Sequence, residues 1–94
     1  MTFARIGVYT LKATPAEATR LATDEMLPIF KRQPGFVDYQ VVTGDGKLIS
    51  ISTWQSQEQA NEGTKQAATV VNSHSGMLTL DHNFVGDITL SSHA

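Results

Sequence analysis

The chain opens on an alternation. From Phe3 to Leu11 the residues are β-branched or aromatic at most positions and include no proline, which predicts a strand. Ala4, Ile6 and Val8 fall on one face of it, and Phe3, Arg5, Gly7, Tyr9 and Leu11 on the other. The period then lengthens. Thr14-Pro15-Ala16-Glu17 starts a helix: Thr14 caps it, Pro15 fits its first position and Glu17 reaches back to the cap. Ala18, Leu21, Ala22, Met26, Ile29 and Phe30 form one apolar stripe. Pro28 falls inside that stripe and predicts a kink or a tightened last turn, and Pro34-Gly35 ends the segment.

Phe36 to Val42 reads as a second strand and Leu48 to Trp54 as a third. Gly44-Asp45-Gly46 supplies a hairpin turn between them. In the third strand Ile49, Ile51 and Thr53 alternate against Leu48, Ser50, Ser52 and Trp54. Ser56 and Gln59 form a capping box for a second helix, whose buried stripe is small: Ala60, Gly63 or Thr64, Ala67, Ala68 and Val71. Ser73 to Gly76 ends it. Met77 to Leu80 is expected to be a short turn or a single helical turn that buries Leu78 and Leu80. Phe84 to Leu90 is the last strand, and Ser91 to Ala94 is a tail.

The order β-α-β-β-α-β predicts an α+β, ferredoxin-like fold. Right-handed crossovers place both helices on one face of a four-stranded antiparallel sheet. Strict alternation assigns Phe3, Arg5, Tyr9, Leu11, Phe36, Asp38, Gln40, Leu48, Ser50, Ser52 and Trp54 to the uncovered face, with the proviso that a bulge in any strand would reverse part of the register. Such a face is too apolar for water and too polar for a dry interface. It suits a pocket closed by a second copy of the chain, a dimeric α/β barrel.

Composition narrows the function classes. The 94 residues are expected to form a single domain, 1–94, with an ordinary 40% hydrophobic content. The net charge is −2 and the basic residues are scattered, which argues against a nucleic-acid or membrane partner. There is no cysteine, so disulfides and thiolate chemistry are excluded. The lack of a long apolar run and of a leader pattern leaves a cytoplasmic location as the expectation.

Three stretches carry a family resemblance: Phe3–Leu11, the run Leu27-Pro28-Ile29-Phe30 to Gln33-Pro34-Gly35-Phe36, and Ser50-Ile51-Ser52-Thr53-Trp54-Gln55-Ser56. A Pro-Gly-Phe entering the second strand, and a strand ending in Trp-x-Ser ahead of a helix, resemble the antibiotic-biosynthesis monooxygenase-like group of dimeric α/β barrels. The resemblance implies a homodimer with a cavity between sheet and helices. Some members of the group oxidise aromatic phenols with O₂ and no cofactor, others degrade haem, and many have no known activity. The oxidases carry an Asn four residues before the strand Trp, where this chain has Ser50. The haem degraders carry a second Trp where this chain has Gly63, an Asn on the first strand where the polar residue here is Arg5, and a helical His with which His74 is one residue out of register. Haem degradation is therefore disfavoured, and no cofactor is expected.

The candidate residues divide between chemistry and packing. Arg5 and Asp38, read on one face, are either an interface ion pair or a catalytic pair in which Arg5 holds a phenolate or enolate and Asp38 acts as base or orienting group. Tyr9, Gln40, Ser50 and Ser52 are candidate substrate contacts, although neither serine has the His-Asp partners of a nucleophile. Trp54 is either a packing anchor or an aromatic wall for a flat substrate. His74, His82 and His93 lack metal-ligand spacing, so no metal is expected; His74 is kept as a catalytic candidate because it follows the second helix. The favoured expectation is a cofactor-independent monooxygenase acting on a small aromatic or quinone-like metabolite. The alternatives are a non-enzymatic dimeric ligand-binding or structural module and an isomerase or cyclase on the same scaffold.

Overall fold

The computed structural model describes residues 2–93. Its strands are β1 (Phe3–Leu11), β2 (Phe36–Gly44), β3 (Lys47–Trp54) and β4 (Leu78–Asp87). They form one antiparallel sheet in the order β2-β3-β1-β4, the ferredoxin-like arrangement that the element order predicts. The β2–β3 hairpin turns at Asp45 and Gly46, both at positive φ, 51° and 73°. That matches the right-handed twist of the flanking strands.

The first helical segment comes in three pieces: α1 (Pro15–Leu21), a π-helical turn (Ala22–Met26) and α2 (Leu27–Lys31). Its start is as the sequence predicts. Thr14 Oγ1 accepts from the Glu17 N–H at 3.2 Å and Glu17 accepts from the Thr14 N–H at 3.1 Å. The widened turn ends at Met26, two residues before Pro28. Proline has no N–H for the carbonyl four residues back and its ring crowds that carbonyl, so the ladder loosens upstream, where the Leu27 N–H bonds the Ala22 carbonyl instead.

The second helix, α3 (Gln57–Ser73), is capped by Ser56, whose Oγ accepts from the Gln59 N–H at 3.2 Å. Its buried stripe is Ala60, Gly63, Ala67, Val70 and Val71; Ala68, expected inside, is exposed. Gly63 is required by contact, because a Cβ there would lie 2.6 Å from Trp54 Cζ2. The chain after α3 also departs from expectation. Met77–Leu80 is not a helical turn: β4 already begins at Leu78, and it ends at Asp87 rather than Leu90. Leu78 is buried, but Leu80 is 43% exposed.

The largest correction concerns the faces of the sheet. The helices cover the face that carries Arg5, Tyr9, Leu48, Ser50, Ser52 and Trp54, all of which are buried. The uncovered face carries Ala4, Ile6, Val8, Ile49 and Ile51. Alternation fixes which residues share a face but not which face the helices choose. The choice follows bulk: Trp54, Phe30 and Phe36 form a compact aromatic cluster, with Phe30–Trp54 centroids 5.3 Å apart and Phe36–Trp54 centroids 5.6 Å apart, both edge-on. The β-branched residues of the other face offer no such volume to the small-residue surface of α3.

A bulge makes the second correction. Phe36 pairs with Trp54 and Asp38 with Thr53, so Val37 is an extra residue in β2. Phe36 stays on the helix side. After the bulge Tyr39 and Val41 face the helices, while Asp38, Gln40 and Val42 face outward and are exposed. Asp38 and Gln40 therefore lie on the opposite face of the sheet from Arg5.

Candidate active site

The centre of the covered face is polar. Arg5, in the middle of β1, is 1% exposed. Its guanidinium donates to Asn83 Oδ1 at 2.8 Å, to the Tyr9 hydroxyl at 2.6 Å and, more loosely, to Ser50 Oγ at 3.4 Å. Ser50 Oγ donates to the Tyr39 hydroxyl at 3.3 Å. Four strands thus contribute to one network: Arg5 and Tyr9 from β1, Ser50 from β3, Tyr39 from β2 and Asn83 from β4. Antiparallel register places them there, since Arg5 is opposite Ser52 and Gly7 is flanked by Ser50 and Asn83.

Gly7 makes room for the network. A Cβ at this position would lie 2.6 Å from Arg5 Nη2 and 2.8 Å from the Tyr9 hydroxyl, so the two side chains close over the space that a side chain would fill. Burial pushes the Tyr39 hydroxyl above the ordinary tyrosine range, which keeps it protonated. Every acceptor of the Arg5 guanidinium is a neutral oxygen, and no carboxylate is within ion-pair distance of it among the described residues.

Two cavities flank this network. One, of about 30 Å³, lies under α1 and the π-helical turn and is lined by Tyr9, Tyr39, Ser50, Met26, Leu21 and Val71. The other, of about 60 Å³, opens between α3 and β4, with Arg5 and Tyr9 among its lining. A larger hollow of about 490 Å³ between Gln33, Pro34 and the start of α3 is open to solvent and lies away from these groups. Among the described residues no three His, Asp or Glu side chains come together as a metal site would require.

Solved structures with this architecture include one cofactor-independent oxygenase and several candidate monooxygenases. SnoaB from Streptomyces nogalater, described as a cofactor-independent oxygenase, superposes with a TM-score of 0.77 at 17% identity, over 96% of this chain and 95% of its own. MupZ from Pseudomonas fluorescens does so with a TM-score of 0.73 at 10% identity, over 89% of this chain and 69% of its own. A candidate antibiotic biosynthesis monooxygenase from Nitrosomonas europaea gives 0.68 at 14%, over 97% and 94%. This chain shares the fold of SnoaB. No protein-family model and no curated relative matches the sequence.

On that SnoaB-like fold the predicted residues fall into two groups. Arg5, Tyr9, Ser50, Ser52 and Trp54 come together beneath the helices. Trp54 is fully buried, its indole N–H donates to Ser52 Oγ at 2.9 Å and its ring rests on Gly63, the geometry of a packing anchor. Asp38 and Gln40 are excluded from this group by the β2 bulge, so neither accompanies Arg5. His74 is at the C-terminus of α3 on the surface, where Nε2 is 3.0 Å from the Glu25 carboxylate of the π-helical turn; it joins two helices rather than facing the network. His82 lies on the outer side of β4, opposite Val8. Tyr39 and Asn83 are members that the sequence does not announce. Tyr39 is revealed only by the bulge at Val37, and Asn83 only by the start of β4 at Leu78 rather than Phe84, which places it opposite Gly7.

No helix among the described residues is long and apolar enough to cross a membrane.

Proposed function

We propose that the chain is a cofactor-independent monooxygenase that oxidises a small phenolic or quinone-like substrate held between the sheet and the helices. The observation that carries this reading is the buried guanidinium of Arg5 ringed by Tyr9, Tyr39, Ser50 and Asn83: a cationic centre with hydroxyl groups, enclosed by apolar walls. The oxygenase SnoaB, on the same fold, supports it. A phenol that has lost its proton to solvent water binds beside Arg5 as the phenolate, with carbanion character at a ring or methylene carbon. That carbon reduces O₂ and forms a C–O bond as a hydroperoxide. Loss of water then leaves a carbonyl, so one oxygen atom enters the product and the other leaves as water. Arg5 stabilises the anion, Tyr9 and Tyr39 orient its oxygen, and the helices exclude solvent. Asp38 has no part in this, being on the other face.

An aromatic ring exceeds the 30 Å³ under the π-helical turn, so Met26 and Leu21 give way as it enters. Met26 is an unbranched side chain that re-packs readily. The small volume also favours a second reading, a binding module without turnover. O₂ uptake with a panel of hydroquinones, in wild type and Arg5→Gln, decides between them. The oxygenase reading requires substrate-dependent uptake that falls by at least about 10²-fold in the variant, the order of effect of losing an oxyanion-stabilising group. Ligand binding without uptake by the wild type selects the module.

We also propose that the uncovered face of the sheet packs on a second copy of the chain. Ile6, Val8, Ile49 and Ile51 form its centre and Val42 and Phe84, 53% and 56% exposed, extend it. So much contiguous apolar surface is costly on a chain this small. Light scattering is expected to give twice the chain mass for wild type and the monomer mass for Ile51→Lys; a monomeric wild type at micromolar concentration would refute the twofold assembly.

A further inference from the structure

The Arg5 network has a charge that the described residues do not balance. A guanidinium carries five N–H groups. Three of those of Arg5 are used, on Asn83, Tyr9 and Ser50, and the remaining two have no protein acceptor among the described residues. Buried charges are ordinarily paired, since neutral oxygens return only part of the lost hydration. Arg5, although only 1% exposed, is among the residues that line the 60 Å³ cavity, together with Tyr9. Thr64, Ala68 and Asn72 of α3 form one wall and Leu80 of β4 the other. None of the residues lining this cleft is acidic. Leu80 and Ala68 are exposed at its rim, so it opens to solvent on the side away from the π-helical turn.

Resting on the reading of the Arg5 network as a ligand site, we propose that this cleft is the seat of a monoanionic oxygen group, a carboxylate or a phenolate, which reaches Arg5 between α3 and β4. Such a group supplies the missing counter-charge and takes the two free N–H groups in the paired geometry that a guanidinium offers to two oxygens. The volume holds a carboxylate and a carbon or two, several times the space of one water, and excludes a fused ring. The bulk of a larger ligand is therefore either outside the cleft or in the second cavity beyond Tyr9. On this account the substrate is bound as an anion, and Arg5 selects for charge before any chemistry begins.

The test uses acetate and its neutral isostere acetamide, at constant ionic strength, with the Arg5 Nε–H resonance followed by NMR. Acetate is expected to shift that resonance saturably and acetamide to leave it in place. Ala68→Phe, which fills the rim without touching Arg5, is expected to weaken acetate binding by about tenfold or more, the loss of at least one charged hydrogen bond. Arg5→Gln, which lacks that resonance and is read by calorimetric titration of acetate, is expected to abolish binding; should that variant fail to fold, Ala68→Phe carries the test alone. Equal shifts by acetate and acetamide, a shift that does not saturate, or undiminished acetate binding in Ala68→Phe would each overturn the proposal. Titration of 4-nitrophenol across its own ionisation separates the two anions: binding confined to the ionised form assigns the seat to phenolates as well, and failure of both forms alongside acetate binding confines it to carboxylates. Oxygen uptake is read independently. Turnover of hydroquinones by a protein that does not bind acetate removes this anion seat and leaves the oxygenase reading standing, and acetate binding without turnover does the reverse.

Discussion

On the covered face of the sheet, β1 and β3 present Arg5, Tyr9, Ser50, Ser52 and Trp54; on the open face the same two strands present Ala4, Ile6, Val8, Ile49 and Ile51. The covered face joins the bulky Trp54 to an arginine and two serines, residue types that a core ordinarily leaves in water. The contrast teaches that burial here follows bulk and not polarity alone. The covered face accepts the cost of enclosing polar groups, which is what a ligand site requires. The open face retains an aliphatic surface that a second sheet of the same kind would cover.

The largest expected effect separates anchor from wall. Trp54→Ala removes the ring against which Phe30, Phe36 and Gly63 pack, and is expected to cost about 3–5 kcal/mol in denaturant unfolding. Ile51→Ala, on the half-buried open face, is expected to cost less than half as much when measured at a concentration where light scattering gives the monomer mass. Equal costs would mean that the aromatic cluster is not the core of the covered face.

Met26→Ala comes next. It deletes a buried side chain that lines the cavity beside Tyr39 and Ser50, and is expected to lower stability by about 2–5 kcal/mol. If the covered face is a ligand site, the same variant gains volume where an aromatic ring must enter, so hydroquinone binding tightens while stability falls. Calorimetric binding and urea unfolding on one sample check the two opposite signs. A loss of both would assign Met26 to packing alone.

Tyr39 gives a smaller effect with a definite pH dependence. Burial raises its hydroxyl above the ordinary tyrosine range, with a lesser opposing contribution from the Ser50 hydrogen bond. The folded state therefore favours the protonated form. The associated stability is fully present below the unfolded tyrosine pKa, near 10, and is lost as pH rises through the folded value. Wild type is expected to lose stability on going from pH 9 to pH 11, and Tyr39→Phe to lose less over the same interval. Urea midpoints at the two pH values measure the difference.

Most of the fold is legible in the sequence because it depends on local rules. The Thr14–Glu17 cap, the Asp45-Gly46 turn and the four-strand order follow from residue types at fixed spacings. The membership of the site is legible only in part. That Arg5, Tyr9, Ser50, Ser52 and Trp54 share a face is given by alternation within β1 and β3, which are regular where they pair. That this face is the covered one depends on how much volume the helices can fill, which alternation does not encode. Asp38, Gln40 and Tyr39 are misplaced or missed because they lie beyond a bulge, and Asn83 because it precedes the expected start of the last strand at Phe84. One extra residue, Val37 or Asp81, reverses every side chain that follows it in the strand. The bulges thereby replace the expected Arg5–Asp38 pair with a guanidinium among neutral oxygens, and so change the inferred chemistry from an acid–base pair to an anion seat.

Asp81 marks the boundary of the comparison and carries its smallest effect. As the bulged residue of β4 it belongs to neither alternation, and its carboxylate meets Lys47 Nζ at 2.9 Å and Thr10 Oγ1 at 2.7 Å on the surface. Hydrogen bonds from Lys47 and Thr10 hold its pKa below the ordinary carboxylate range, so the ionised form is favoured in the folded state. The linked stability is present above the unfolded carboxylate pKa, about 4, and disappears as pH falls through the lower folded value. Because the pair is exposed and screened by salt, Asp81→Asn is expected to leave the neutral-pH melting temperature nearly unchanged at high ionic strength and slightly lowered at low ionic strength. If the variant instead rearranged the Arg5 Nε–H resonance, the bulge would be held by this ion pair, and the position of Asn83 beneath Arg5 would depend on it. If that resonance stays in place while Asp81→Asn melts normally, backbone pairing on either side of the bulge is sufficient to aim Asn83 at the guanidinium, and the polar network of the covered face is independent of the charges at its edge.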